Sequence, residues 1–132
     1  LPVIEAIAVQ MNQLFSNLIS NALKFADPGR PLHLQIRMDK LPDALQIIYP
    51  LAPKKDYIRL QFIDNGIGFD QSHAVQIFDI FQRLHSKDKY TGTGIGLATC
   101  KKIVQNHNGF ISATSIPGKG ATFEVILPVS QG

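Results

Sequence analysis

A stripe of polar side chains recurs on one face of a predicted helix near the start of the chain. Spacings of four, four and three residues place its members one above another: Gln13, Asn17, Asn21 and Lys24. Asparagine is a poor helix-interior residue because its amide competes for backbone hydrogen bonds. A solvated helix face would explain the stripe. The chemical alternative is that neutral amide oxygens ligate Mg²⁺, which also retains water and phosphate oxygens, while Lys24 contacts a phosphate.

A carboxylate, Asp64, ends a predicted strand. Alternation along residues 57–64 puts it in the row expected to face the core, together with Ile58, Leu60 and Phe62. An inward-facing carboxylate needs hydrogen-bond donors, because burying an unpaired charge is costly. An Asx turn, in which Asp64 accepts from the backbone that follows it, would supply them. The exocyclic amine of adenine would also serve, and Gly66 and Gly68 would let a flat ring approach the backbone.

A run of glycines, Gly92, Gly94 and Gly96, leads into another predicted helix. Amide hydrogens and the helix dipole attract phosphate at such a position. A flexible loop with a tight entry to the helix is the alternative. The spacing differs from the dinucleotide-binding fingerprint, and the G-x-x-x-x-G-K-[ST] phosphate loop is missing from the sequence. The polar residues 82–90, which include Arg83, could form a mobile lid or a solvated loop.

Helices and half-polar strands must position these residues. Apolar periodicity predicts three helices, over residues 9–25, 72–81 and 96–107. Alternation predicts a short strand and four longer ones, over residues 3–6, 32–39, 57–64, 110–116 and 121–127. Strands with one polar face argue against a doubly wound sheet. We therefore predict an α/β (α+β) two-layer sandwich, with helices on one face of a mixed, mostly antiparallel sheet and water on the other. Residues 40–56 form a loop of unassigned role.

The composition is that of an ordinary globular domain. With 132 residues, a single domain over residues 1–132 is expected. A net charge of +3 is too small to indicate a nucleic-acid partner. No segment approaches the roughly 18 apolar residues of a membrane span. The single cysteine, Cys100, is expected in the core and fits a reducing compartment. Because the opening residues read as mid-domain sequence, we expect a domain excised from a longer chain.

Taken in order, five segments resemble the motifs of sensor histidine kinases. They match the N, G1, F and G2 boxes and the final glycine pair of that family, at residues 14–25, 64–68, 77–83, 92–98 and 118–120. The resemblance spans nearly the whole chain, and five motifs in the right order are specific. It implies the Bergerat ATP-binding fold, which gyrase and mismatch-repair ATPases share. That fold agrees with the two layers predicted from the strands.

The resemblance also implies a role for each matching residue. Asn21 would be the principal Mg²⁺ ligand, with Asn17 close to the metal and the phosphates. Asp64 would accept a hydrogen bond from the adenine amine, and Arg83 would be the catalytic residue that assists phosphoryl transfer. The other ATP-binding residues would contact phosphate, line the adenine pocket or hinge the lid: Lys24, Phe25, Gly66, Gly68, Ile77, Gly92, Thr93, Gly94, Gly96, Leu97 and Phe123.

The implied function is to bind Mg-ATP and to donate its γ-phosphoryl group to a histidine on a separate dimerisation domain, in two-component signal transduction. That phosphoacceptor domain and a downstream response regulator are the expected partners, and the parent protein is expected to be a cytoplasmic or membrane-anchored homodimer. None of the four histidines is followed by an acidic residue, as the family's phosphoacceptor is. The chain alone should therefore bind ATP but hardly autophosphorylate.

Two other functions remain open. An ATPase clamp of the gyrase or mismatch-repair type would use a Glu on the first helix, where Asn17 and Asn21 stand instead. A non-catalytic nucleotide-binding adaptor is disfavoured by Asn21, Asp64 and the glycines. Ala121 keeps it open, because many relatives carry a Thr or Ser hydroxyl near the adenine at this position.

Overall fold

The computed structural model describes residues 4–49, 55–79 and 96–131. The elements found in these ranges are, in chain order, α1 (Ala8–Lys24), β1 (Leu34–Lys40), β2 (Tyr57–Asp64), α2 (Gly96–Asn106), β3 (Phe110–Ile116) and β4 (Gly120–Pro128). Short 3₁₀ segments lie between them, at Asp43–Ile48, Gln71–His73 and Gln76–Phe78. The strand predicted over residues 57–64 is confirmed residue for residue, and the other long elements are confirmed to within a few residues.

The strands form one four-stranded sheet in the order β1-β2-β4-β3, in which every pairing is antiparallel. Asp64, at the end of β2, pairs with Leu34 of β1 on one side and with Ala121 of β4 on the other. Both helices pack on the same face. The predicted two-layer α+β architecture is confirmed, although the described strands are all antiparallel where a mixed, mostly antiparallel sheet was expected. Asp64 lies at the end of a central strand.

The core lies between the helices and the inward row of the sheet. Phe15 of α1 meets Phe62 of β2 edge to face, with ring centroids 5.2 Å apart. Cys100 is fully buried in this cluster, as predicted, and burial raises the pKa of its thiol to about 12. The most deeply buried members come from both helices and from two strands: Leu14, Cys100, Val104, Ile58, Leu60, Phe62, Val125 and Leu127.

A buried histidine fixes the two helices relative to each other. The N–H of Ile7, which precedes α1, donates to Nε2 of His107 over 3.0 Å. Nδ1 of the same ring lies 2.8 Å from the carbonyl oxygen of Ile103 in α2. Since Nε2 accepts, Nδ1 must carry the hydrogen and donate it. His107 thus joins the beginning of α1 to the end of α2.

The opposite face of the sheet is only partly in water, which corrects the prediction. Tyr57 has the outward orientation that alternation predicts, yet it is 2% exposed. The described part of segment 40–56 covers it and forms a second apolar cluster: Leu41, Leu45, Tyr49, Tyr57, Phe110 and Ile126. The Tyr49 hydroxyl donates to Glu124 of β4, and Gln61 donates to the same carboxylate over 3.1 Å. This segment therefore packs onto the outer face.

Two short elements differ from prediction. Residues 4–7 form no strand, although the N–H of Glu5 donates to the carbonyl of Val129 over 2.9 Å. One such bond does not make a ladder, so the predicted strand over residues 3–6 is wrong in its described part. The helix predicted over residues 72–81 consists, as far as residue 79, of 3₁₀ segments.

Candidate functional site

Asp64 is half-buried, and main-chain donors hold one of its two carboxylate oxygens. Oδ1 accepts from the N–H of Gly66 over 2.9 Å and from the N–H of Ala121 over 3.2 Å. The Asx turn considered from sequence is therefore present. Among the described residues Oδ2 accepts no hydrogen bond. Burial raises the pKa of Asp64, and the two backbone hydrogen bonds oppose that rise. The carboxyl is fixed in direction, and within residues 4–49, 55–79 and 96–131 its second oxygen is left for another donor.

The loop after Asp64 passes against two other segments without room for side chains. A Cβ on Gly66 would meet the carbonyl oxygen of Phe25 at the end of α1. Gly68 has φ of +67°, and a Cβ there would lie 2.9 Å from the carbonyl oxygen of Gly120. Gly120 itself has φ of +103° and packs on the carbonyl of Asp64. The glycines thus bring the loop, the end of α1 and the β3–β4 turn together.

Ser115 ties this loop to β3 from the buried side. Its Oγ accepts from the N–H of Phe69 over 2.8 Å and donates to the carbonyl of Gly120 over 2.6 Å. Gln71 completes the connection with both ends of its amide. Oε1 accepts from the N–H of Ser115 over 2.8 Å, while Nε2 donates to the carbonyl of Ala113 over 3.3 Å. The side-chain amide replaces a neighbouring strand along this stretch of β3. Sequence reasoning missed both residues.

Arg30 ties the same loop to the β3–β4 turn from the solvent side. Its guanidinium donates to three main-chain carbonyl oxygens, those of Asn65, Gly66 and Gly118, over 2.8 to 2.9 Å. The N–H of Gly118 also donates to the carbonyl of Ile67 over 2.7 Å. The sequence carried no signal for this role, because Arg30 lies in a turn whose geometry the pattern does not define.

The three amide side chains of the polar stripe on α1, Gln13, Asn17 and Asn21, are called the amide stripe below. This stripe reaches the beginning of α2. Nδ2 of Asn17 donates to the carbonyl of Gly96 over 3.3 Å, and its Oδ1 accepts from Gln13 over 2.8 Å. Asn21, one turn further on, is half-buried, and Lys24 is exposed at the end of the helix. The fold thus brings Asn17 together with the last residue of the glycine run. Within the described ranges no three His, Cys, Asp or Glu side chains group as a metal site would.

Apolar residues assigned to the adenine pocket line the helix-covered side of the sheet. Phe123 is buried and contacts two aromatic rings, those of Phe69 and Phe78, with centroids 6.3 and 6.2 Å away. Ile77 is buried in the same cluster, and Leu97 of α2 packs against it. Phe25 is half-buried, and its carbonyl accepts from the N–H of Ile67 over 2.9 Å. Four predicted site residues lie outside the described residues: Arg83, Gly92, Thr93 and Gly94.

The described site has the donors and acceptors that a purine nucleotide needs. A directed carboxylate stands at the end of β2, apolar side chains lie on the same face, and neutral amides stand beside the beginning of α2. A carboxylate can discriminate a base that presents an amine, because an unpaired polar group in such a site is costly. Amide oxygens can share a divalent cation with phosphates. No helix in the described part of the chain is long and apolar enough to cross a membrane.

The chain is similar to a small part of several longer, curated relatives. It is 41% identical over 131 residues to the phytochrome-like protein Cph1 of Synechocystis, and this match covers 99% of this chain and 16% of the relative. It is 33% identical to the sensor histidine kinase RcsC of Escherichia coli, over 92% of this chain and 11% of the relative. The chain therefore spans about a sixth of the length of the first and less of the second.

Solved structures share the fold. The mycobacterial sensor histidine kinase MprB aligns with a TM-score of 0.70 at 22% identity, over 95% of this chain and 74% of that one. Full-length ShkA in complex with AMPPNP aligns with a TM-score of 0.73 at 22% identity, over 97% of this chain and 23% of that one. A family model, described as histidine kinase-, DNA gyrase B-, and HSP90-like ATPase, matches residues 6–131. The chain belongs to this ATPase family, and its predicted resemblance to the ATP-binding domain of sensor histidine kinases is confirmed.

Proposed function

We propose that this chain is the ATP-binding catalytic domain of a sensor histidine kinase and donates the γ-phosphoryl group of Mg-ATP to a histidine on a separate dimerisation domain. The observation that carries the proposal is the Asp64 carboxyl. Two main-chain donors fix its Oδ1, and its Oδ2 is left without a partner among the described residues. An adenine amine would donate to that oxygen, and the close packing that Gly66 and Gly68 permit would hold the loop that presents it.

The neutral amides of α1 fit a magnesium ion that is shared with phosphates. Asn21 would be the principal protein ligand and Asn17 a nearby one. Mg²⁺ prefers oxygen ligands and keeps several waters, so one or two amide oxygens suffice and do not repel a triphosphate. The ion would neutralise charge on the phosphates. Oδ1 of Asn17 accepts one hydrogen bond, from Gln13, and has a second lone pair with which it would contact the ion.

Positioning and charge neutralisation would make up the rest of the mechanism, as in phosphoryl transfer generally. Lys24 would contact a phosphate, and Phe25 would flank the nucleotide. Ile77, Leu97 and Phe123 would wall the adenine pocket. Arg83 would lie by the phosphates and assist transfer. The glycine run would hinge the lid and contact phosphate, with Gly92, Thr93, Gly94 and Gly96 as its members.

The alternative functions have less support. A gyrase-type clamp needs a general base for water on the first helix, and α1 contains no acidic residue. A non-catalytic adaptor was kept open by Ala121, which has no hydroxyl. The N–H of Ala121, however, donates to Asp64 and so helps to orient the carboxyl without one. A cytoplasmic location, a homodimeric parent and a response regulator stay predictions.

Magnesium dependence can be tested by titrating ATP calorimetrically with and without Mg²⁺. We expect binding that Mg²⁺ strengthens and that Asn21→Ala weakens only when the ion is present. Asn12→Ala is the matched control, because Asn12 is exposed on the same helix, outside the amide stripe. Equal weakening by Asn21→Ala in the absence of Mg²⁺ would refute the metal-ligand role.

Phosphoryl transfer can be tested by adding the parent protein's dimerisation domain, produced separately, together with radiolabelled ATP. The proposal predicts an acid-labile, base-stable label on that domain, which is the behaviour of phosphohistidine. The chain alone should stay almost unlabelled. Steady release of inorganic phosphate from the isolated chain, with no label on the added domain, would favour the ATPase clamp.

A further inference from the structure

We infer that Arg30 is a positioning residue for adenine recognition, acting through the Asp64 carboxyl; the inference rests on the proposed function. Nε donates to the carbonyl of Asn65 over 2.8 Å, and Nη2 donates to the carbonyls of Gly66 over 2.9 Å and Gly118 over 2.8 Å. One guanidinium thus joins the loop after β2 to the turn between β3 and β4.

These are the two segments that orient Asp64. The loop after β2 supplies the Gly66 N–H to Oδ1, and the strand that follows the β3–β4 turn supplies the Ala121 N–H. If the loop and the turn moved apart, the N–H groups of Gly66 and Ala121 would also move apart. Oδ1 of Asp64 could then not accept hydrogen bonds from both. Arg30 holds that separation from the solvent side. It therefore fixes the direction in which Oδ2 is presented.

The three hydrogen bonds of Arg30 depend on the planar shape of the guanidinium and not on its charge alone. Two hydrogens of Nη2 serve carbonyls from different segments while Nε serves a third. A lysine ammonium on a flexible stem cannot reproduce this fork. Asp27, three residues earlier, pairs with Nη1 at 3.4 Å and supports the same orientation. The Arg30 side chain is 37% exposed, so the ion pair with Asp27 is screened and its contribution is small.

A competing explanation is that Arg30 merely attracts the triphosphate by its charge. Under that explanation Arg30→Lys would bind ATP like the wild type, and Arg30→Gln would lower the affinity for every nucleoside triphosphate equally. Under the positioning role, both substitutions lower the affinity for ATP. Neither would much affect purine riboside triphosphate, which lacks the amine that Asp64 would recognise.

The experiment compares Arg30→Gln and Arg30→Lys with wild type and with Arg59→Gln. Arg59 is the matched control, since its guanidinium is also held by hydrogen bonds, two of them, of 2.7 and 3.1 Å to Asp39, but on the outer face of the sheet. Mg-ATP and Mg-purine riboside triphosphate are titrated against each protein. Amide hydrogen exchange at Gly66 and Ala121 is measured without nucleotide.

Both Arg30 variants are expected to bind ATP roughly tenfold more weakly, the size of effect typical for hydrogen bonds from a charged donor. Their preference for ATP over the amine-free analogue should fall by a similar factor, and exchange at Gly66 and Ala121 should accelerate. Arg59→Gln should change none of these. Unchanged preference and exchange in Arg30→Gln, with normal ATP binding by the wild type, would overturn this inference alone. Failure of the wild type to bind ATP would overturn both it and the proposed function.

Discussion

Asp64 and Ala121 pair across β2 and β4, and the Ala121 N–H donates to Oδ1 of Asp64 over 3.2 Å. The Gly66 N–H donates to the same oxygen over 2.9 Å. A half-buried carboxylate is costly to ionise, and two donors on one oxygen offset only part of that cost. The ionised form of Asp64 is thus disfavoured in the free protein, and a ligand that donated a hydrogen bond to the carboxylate would relieve that cost.

Replacing Asp64 by Asn should separate stability from binding. The amide oxygen can accept the same two N–H groups without a buried charge, so Asp64→Asn should match or exceed the wild type in melting temperature without nucleotide. We expect a gain of no more than about 4 °C, measured by circular dichroism at pH 7. A clear loss of stability at pH 7 would show that ionised Asp64 stabilises the fold.

The pH dependence of that difference follows from the raised pKa of Asp64. The folded state holds this proton more tightly than the unfolded chain, so ionisation destabilises the fold as pH rises through the folded pKa. The difference in melting temperature between Asp64→Asn and the wild type should therefore shrink as the pH falls through the folded-state pKa of Asp64. Asp70→Asn is the control of opposite sign, because hydrogen bonds from Ser72 lower the pKa of Asp70. Its substitution should cost stability at neutral pH, and this cost should fade in acid.

Ser115→Ala should destabilise the fold by about 1–3 kcal/mol, because it leaves the buried N–H of Phe69 without its acceptor. Urea denaturation provides the measurement. Thr114→Ala, at an exposed position of the same strand, serves as the control and should change stability by less than about 0.5 kcal/mol. Equal effects of the two substitutions would mean that the buried hydroxyl contributes nothing specific.

Two glycines of the β3–β4 turn should respond differently to alanine. Both have positive φ, +79° at Gly118 and +103° at Gly120, so each substitution is strained by roughly 1–2 kcal/mol. Only at Gly120 would the new Cβ also collide with the carbonyl of Asp64, since Gly118 faces open space. Gly120→Ala should therefore be the more destabilising in urea and should also weaken ATP binding. Similar losses in the two variants would contradict the close packing on Asp64.

Tyr49→Phe tests the attachment of segment 40–56 to the outer face. The hydroxyl donates to Glu124, and burial together with this carboxylate raises the pKa of Tyr49 to about 12. Its removal should cost about 1–2 kcal/mol in chemical denaturation, because a hydrogen bond to a charged acceptor is lost. Affinity for Mg-ATP should not change, since the outer face lies across the sheet from the site. A lower affinity of Tyr49→Phe for Mg-ATP would contradict this prediction and would mean that the two faces of the sheet are coupled.

The sequence predicted the helix-covered half of the fold well because alternation and periodicity report which face is buried. β2 and the inward orientation of Asp64 follow directly from that parity, as does the helix that carries Asn17 and Asn21. The outer face was harder to predict. Its apolar cluster depends on Leu45, in the 3₁₀ segment Asp43–Ile48, and on Tyr49 just after it, where the sequence shows no periodicity. Tyr57 and Ile126 are large apolar residues in the outward-facing rows of their strands. They were the available indication in these strands that another segment covers the outer face.

The site residues that sequence reasoning missed act through turns and main-chain atoms. Arg30, Ser115 and Gln71 each bond to backbone groups of segments distant in the chain, and no spacing rule connects them. From sequence, the Asx turn and recognition of an adenine amine are alternative explanations of the inward Asp64, yet the structure makes the two compatible. One oxygen closes the turn, while the other is left for a ligand.

The measurement that tests the central claim most directly is a calorimetric titration of Mg-ATP against wild type, Asp64→Asn and Asp70→Asn. Asp70 lies on the same loop, and it also accepts from a backbone N–H two residues on, at 2.9 Å, but it is exposed. We predict that Asp64→Asn loses roughly 10- to 100-fold in affinity, because its amide can turn a donor toward the adenine amine. Asp70→Asn should bind like the wild type. Undiminished binding by a folded Asp64→Asn variant would contradict the account.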